Sequence, residues 1–257
     1  MKYISFFNDK GGVGKTTHTI MAASYFAYAK QKKVKVIDME TPNYRHNPFR
    51  KLDLAELTTP GSPLYNYAQR HPMPTPSMYY DIEERGLAIG EYTPSNVKQF
   101  VDSLAKEKDS RQYDIALLDF PARYADNLPV RLMAEKGCLD AVYVPMGLEQ
   151  QERRSAYITG IGLASCAVPT KLFWNNVDAD IIRRGTPLDN AEEEVPFLKE
   201  HGVEYSPVRI KHFRKASQSS DNQCFARCTI CWPDTYVRMW CPELISLFDE
   251  IAELIHL

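Results

Sequence analysis

The chain has 257 residues, 44% hydrophobic and 25% charged, which suits one sizeable α/β domain and excludes a disordered or fibrous protein. A formal net charge of −2 excludes a chain that is basic throughout, so any contact with nucleic acid has to come from a local patch. No run approaches about 18 apolar residues and no signal-peptide pattern opens the chain; its six cysteines are irregularly spaced, so reduced thiols in a cytoplasmic protein are the expectation.

The first readable element is KYISFF (Lys2 to Phe7), an apolar run with the look of a strand, and HTIMAASYFAYAK (His18 to Lys30) is helix-capable. Between them stands NDKGGVGKTT, Asn8 to Thr17. Strand, glycine-rich turn and helix is the context that a phosphate-binding loop requires. Gly11, Gly12 and Gly14 let the backbone turn tightly around Val13 and aim its N–H groups at one point. That point is the N-terminus of the next helix, where unpaired donors and the helix dipole favour an anion. Lys15 brings a compact positive charge for the β- and γ-phosphates, the Thr16 hydroxyl is placed to ligate Mg²⁺, and Thr17 completes the turn. The loop is preceded by a further lysine, Lys10, so it reads K-G-G-x-G-K-T-T. In this it resembles the deviant Walker A of the ParA/MinD superfamily, whose first lysine reaches the nucleotide of the partner subunit.

KKVKVIDME (Lys32 to Glu40) reads as a second strand with acids at its C-terminal end. The resemblance makes this switch I, with Asp38 as the first aspartate and a metal residue. Glu40 stands where the family generally has a second aspartate that orients the attacking water. From Tyr44 to Tyr92, prolines 48, 60, 63, 72, 74 and 76 with Gly61 break every periodic run, so an irregular excursion with only short helices is expected. Ser95 to Asp109 has helical spacing at Val97, Phe100, Val101 and Leu104. Tyr113 to Tyr124 carries a buried-strand pattern ending in Asp119-Phe120-Pro121. It resembles the family's Walker B and switch II, which makes Asp119 a metal and catalytic residue; Ala122 and Arg123 replace the proline and glycine common there.

Leu139 to Gln151 resembles the family's strand of aspartate, apolar run and proline, and a helix follows near Glu149 to Ser165. KLFWNNVDAD (Lys171 to Asp180) is another strand, and by resemblance Asn175 and Asn176 lie at the base. Asn175 with Asp178 faintly echoes a guanine-reading motif that lacks its lysine. A helix around Leu188 to His201 leads to a last strand, Gly202 to Ile210. Pro207 with the following RIKHFRKA resembles a proline-then-helix segment near the base. Arg209, Lys211, Arg214 and Lys215 lie close together with no acid until Asp221, a charge cluster able to hold DNA backbone without reading sequence. Cys224, Cys228, Cys231 and Cys241 could form a small zinc or iron–sulfur site, against the reading of plain buried thiols. The C-terminal helix has one apolar face, but acids on its polar face, so it reads as core and not as a membrane anchor.

The expectation is one α/β P-loop domain over residues 1–257, with a mainly parallel sheet, helices on both faces and the ligand at the C-terminal strand ends. The resemblance implies Mg²⁺ and ATP as ligands and an ATP-sandwich homodimer. It also implies slow hydrolysis that resets binding to nonspecific DNA or to a protein partner, in partitioning or conjugative transfer of a mobile element. The catalytic set is then Lys10, Lys15, Glu40 and Asp119. Two alternatives stand beside it: a nucleotide-binding regulator without significant hydrolysis, suggested by Glu40 and the altered switch II, and a metal-cluster carrier, suggested by the cysteines.

Overall fold

The computed structural model describes residues 1–110, 112–122, 128–193, 196–212 and 228–257. Its frame is a seven-stranded sheet made of β1 (Lys2–Phe6), β2 (Val34–Asp38), β3 (Asp81–Glu84), β4 (Ile115–Asp119), β5 (Ala141–Met146), β6 (Thr170–Val177) and β7 (Val203–Lys211). The order is β3-β2-β4-β1-β5-β6-β7, and every neighbouring pair is parallel. Parallel strands need crossovers, and helices lie on both faces as the sequence pattern implies.

Side chains alternate across the central strands, so each strand feeds two cores. Tyr3, Ile37, Leu118, Val142 and Leu172 point to one face, where they meet α4 (Pro94–Lys108), α5 (Leu128–Glu135) and α6 (Gln150–Ala164). Ile4, Val36, Leu117, Tyr143 and Phe173 point to the other. There α1 (Lys15–Ser24), continued by one π-helical stretch Tyr25–Ala29, packs beside the terminal helices α10 (Asp234–Trp240) and α11 (Glu243–Leu254). Leu244, Leu247, Phe248 and Ile251 of α11 are buried, so the amphipathic end of the chain is core. No helix among the described residues is long and apolar enough to cross a membrane.

Two expectations are corrected. The stretch from Tyr44 to Tyr92 is more regular than its prolines suggest, with α2 (His46–Thr58), α3 (Pro63–Ala68) and the strand β3. Pro48 lies in the first turn of α2 and Pro63 at the first position of α3, where the missing N–H costs nothing. β3 escaped notice because it is a short, charged edge strand, DIEE, without an apolar alternation. Where one helix was expected around Leu188 to His201 the chain forms α8 (Thr186–Glu193) and α9 (Phe197–Glu200), preceded by a further short helix α7 (Ala179–Arg184) that ends at Gly185 with φ of 72°.

The segment Cys228–Pro233 straps α2 to α1. Asp53 of α2 accepts from both the amide and the hydroxyl of Thr229, at 2.7 and 2.6 Å through the same oxygen. Arg50 Nε donates to the same hydroxyl, and Tyr28 OH to the Thr229 carbonyl. Burial pushes the Asp53 carboxyl up to about 6, while the bonds from Thr229 work in the opposite direction. A carboxyl raised in the folded state holds its proton more tightly there, so its contribution is full below the unfolded value and is lost as pH rises through about 6. Relative to Asp53→Asn, the natural chain should therefore gain about 1.4 kcal/mol of stability between pH 7.5 and pH 5. Urea unfolding of both proteins at the two pH values measures this; parallel changes would mean that Asp53 titrates normally.

Candidate functional site

The sheet ends converge on the loop after β1. Gly12 and Gly14 hold φ of 80° and 94°, in the left-handed region, and Gly14 serves as the cap of α1. A Cβ on Gly14 would stand 3.0 Å from Asn175 Nδ2, so the loop and the tip of β6 approach as closely as they do because no side chain intervenes. Asn175 Nδ2 donates to the Val13 carbonyl at 2.8 Å, and Asn175 Oδ1 meets His18 Nε2 at 3.0 Å. His18 packs between the rings of Phe6 and Phe173, and burial, against the Asn175 bond, pushes its pKa down to about 4. It is a neutral strut at neutral pH. On the other side Asn8 ties the loop to β5 and α6, giving a bond to the Pro145 carbonyl at 2.9 Å and receiving one from Ser155 at 2.6 Å. Asn8 Oδ1 also accepts the Lys10 amide.

Lys15 is buried and its Nζ donates to the Lys10 carbonyl at 2.8 Å. Burial pulls its pKa down, with Asp119, Glu40 and Asp9 pulling the other way. Thr16 and Thr17 are half-buried on the first turn of α1, while Gly11 and Gly12 are exposed. The loop therefore offers a lysine short of water beside backbone donors at a helix N-terminus, an arrangement suited to phosphate.

Asp38 and Asp119 are register partners at the C-terminal ends of β2 and β4, and both are buried. Asp38 accepts the amides of Arg45 and His46 at 2.7 and 3.0 Å through one oxygen and the Glu40 amide through the other. It thus caps α2, whose own cap position, Arg45, supplies no side-chain acceptor. His46, fully buried, sends Nε2 to Asp119 Oδ2 at 2.8 Å. Asp119 Oδ1 is buried and has no hydrogen-bond partner among the described residues. An oxygen left in that condition, on a carboxylate close enough to Lys15 to interact with its charge, has the chemistry of a site for a hard cation, so the donor set fits Mg²⁺. Both Glu40 oxygens are taken by the Arg45 guanidinium, at 3.1 and 2.9 Å.

Lys10 does not face its own loop. Its Nζ lies 3.4 Å from Glu149 and 3.3 Å from Glu152, at the start of α6. Desolvation opposes the charge, but the bonds to Glu152 and Glu149 hold its pKa above the usual lysine value. Glu152 reaches this place by lying over Gly147, where a Cβ would come within 1.8 Å of its carboxylate.

The remaining expectations divide. Asn176 is held in the left-handed region, φ 60°, with its side chain against His212, and Pro207 lies within the edge strand β7. Arg209 to Lys211 continue that strand, so they do not begin the expected helix. Arg209 is engaged by Asp189 and Glu192 of α8, and Lys211 Nζ lies 3.9 Å from Glu243. Two of the four cations assigned to DNA are therefore matched by acids distant in sequence; Arg214 and Lys215 lie outside the described residues. Of the four cysteines considered for metal, Cys224 also lies outside them, and Cys241 sits in a different core cluster from Cys228 and Cys231. No group of three or more metal-ligating side chains occurs among the described residues. Sequence reasoning missed Asn8, Arg45, His46, Glu149 and Glu152. Only the pair of acids three apart at a helix start, after the β5 tip, offered a usable signal.

A family model described as an AAA domain matches residues 1–47, the segment that holds the loop and the end of β2. No curated protein matches the chain. Among solved structures, the MinD cell division protein of Aquifex aeolicus matches with a TM-score of 0.62 at 19% identity, over 98% of this chain and 97% of that one. A plasmid partition protein of Borrelia burgdorferi B31 bound to AMPPNP matches at 0.58 and 16%, over 97% and 98%. The ParA of pNOB8 bound to nonspecific DNA matches at 0.57 and 15%, over 99% and 98%. Over nearly its whole length the chain thus has the fold of these structures.

His46→Ala should remove the donor from the buried Asp119 oxygen and lower stability by about 1–3 kcal/mol. The urea midpoint reports it, and an unchanged midpoint would mean that the contact contributes nothing.

Proposed function

We propose that this chain, a P-loop protein with the MinD/ParA fold, is an ATPase that binds Mg²⁺-ATP and pairs with a second copy of itself while the γ-phosphate is present. The observation that carries this reading is the buried Lys15 beside the glycine loop at the N-terminus of α1. Lys15 would meet the β- and γ-phosphates, exchanging the Lys10 carbonyl for a stronger anionic partner. The Thr16 hydroxyl and Asp119 Oδ1 would hold Mg²⁺, with Asp38 behind them keeping α2 in place. When bound, the ion neutralises charge that develops on the phosphates. Asn175 fixes the loop through Val13, and Asn176 and Pro207 belong to the strand ends nearest the base in this reading.

Hydrolysis falls to Glu40, with Lys10 supplied by the second subunit as an arginine finger would be. Both groups are occupied in the single chain: Glu40 by Arg45, and Lys10 by Glu149 and Glu152. Turnover thus requires two exchanges of ion-pair partner, which supports a slow enzyme. The Glu40–Arg45 clamp also favours a second reading, nucleotide binding without turnover; phosphate release by the purified protein, with and without DNA, separates the two.

The dimer would switch contact with nonspecific DNA or a protein partner, with segregation or transfer of a mobile element as the setting. With Arg209 and Lys211 matched by acids, DNA contact is assigned to Arg214 and Lys215. Charge reversal of that pair should weaken binding to every duplex alike and flatten its salt dependence by about one to two phosphate contacts. Binding unchanged in both respects would move the footprint elsewhere.

Lys15→Ala should abolish ATP binding in calorimetry. Lys10→Ala should bind ATP normally but fail to dimerise with a slowly hydrolysed analogue, as seen by light scattering. Dimerisation of Lys10→Ala at the natural level would overturn the sandwich while leaving nucleotide binding intact.

A further inference from the structure

Away from the strand tips, at the far end of α1, Cys228 and Cys231 place their sulfurs 3.2 Å apart as thiols. We propose that this pair is a reactive dithiol that low-molecular-weight disulfides, such as oxidised glutathione, convert to an intrachain disulfide. Three observations on independent parts of the chain lead here.

The first is the separation itself. A disulfide bond is about 2 Å long, so closing it asks for a shift of only about an ångström. The second is that the turn carrying the pair is fixed by elements that have nothing to do with sulfur. Ser24 of α1 donates to the Cys228 carbonyl, and Tyr28 to the Thr229 carbonyl. Asp53 and Arg50 of α2 engage Thr229 from the other side. The two thiols are thus presented in one arrangement, and little conformational entropy opposes closing the ring. The third is access. A cleft of about 570 Å³ is lined by Tyr67, Met73, Met78, Trp232 and Arg238, and Cys231 lies on its wall. Cys228 is not on that wall; it packs behind with Leu64 and Ile230. Both cysteines are only 2% exposed, so an oxidant has to enter through this cleft and meets Cys231, on its wall, before Cys228; that order makes Cys231 the attacking and Cys228 the resolving thiol.

Metal binding is the competing use of such a pair. Two sulfurs do not complete a tetrahedral site, and no third ligand accompanies them among the described residues. Redox chemistry needs only the two.

Cys231, having released its proton, attacks one sulfur of oxidised glutathione and expels one glutathione thiolate, leaving a mixed disulfide. Cys228, losing its proton in turn, attacks the Cys231 sulfur and expels the second thiolate. The two protons end on the two glutathione thiols, and two electrons pass from the cysteine pair to the oxidant.

Trypsin, cutting after Arg227 and Arg238, frees a peptide, Cys228 to Arg238, that contains both of these cysteines and no other. The full chain is equilibrated with oxidised glutathione, blocked with iodoacetamide, digested and weighed. The expected peptide lacks two hydrogens and carries no alkyl group, and dithiothreitol restores two alkylation sites. Cys228→Ser should trap one glutathione on Cys231. Recovery of the natural peptide alkylated at both sulfurs would overturn the proposal. So would a cross-link to the peptide holding Cys224, a Cys231 that stays reduced in Cys228→Ser, or zinc bound at one per chain that blocks oxidation until chelated.

Discussion

Parallel pairing between β2 and β4 sets Asp38 directly opposite Asp119, two buried carboxylates at neighbouring strand tips. Two such charges a strand spacing apart repel unless each is compensated, and the surrounding chain follows from that demand. Asp38 is satisfied by three backbone amides, and in accepting them it starts α2 where it does. Asp119 receives the His46 ring from the same helix, which leaves one buried oxygen without a partner among the described residues. Lys15, at the start of α1, adds positive charge beside Asp119. The same arrangement that a cation and phosphates would complete is therefore held partly neutral without them.

The P-loop was legible because its glycines, lysine and threonine are contiguous and each answers a local requirement: positive φ at Gly12 and Gly14, charge at Lys15. The strands were legible for a similar reason, since burial on both faces leaves apolar runs such as IALLD. What could not be read was pairing over long separations. Nothing local marks His46 as the partner of Asp119, 73 positions away, or Lys10 as the partner of Glu152, 142 away. Half of the basic cluster was obscured on the same count: Arg209 and Lys211 looked unopposed in the sequence, and the acids that meet them come from α8 and α11. β3 was hidden differently, because an edge strand made of charges obeys the hydrogen-bond ladder and not the apolar pattern.

Charge in this molecule is managed by exchange. Lys10, Lys15 and Glu40 each have a partner within the chain: two glutamates, a carbonyl and an arginine. None has to be stored as an exposed or unsatisfied group. Exposed pairs of this sort contribute about 0–1 kcal/mol, so releasing Lys10 or Glu40 to a better partner costs little. A buried ammonium on a neutral carbonyl is more costly to maintain, and Lys15 is the group with most to gain from an incoming anion.

Helix α2 is fastened at two points, to Asp38 and Asp119 at its start and, through Asp53 two turns further on, to Thr229. Those two points, His46 and Asp53, are about 10 Å apart along the axis at about 1.5 Å per residue. A rod pinned at two remote points cannot tilt at one without straining the other. Thermodynamic reciprocity then applies: whatever free energy a ligand at Asp119 invests in moving His46 is returned as a change in how firmly the Thr229 turn is held, and the reverse holds with equal magnitude. The aspartate tips and the turn that carries the sulfur pair thus hold the same helix, so a ligand that shifted α2 at one would be felt at the other.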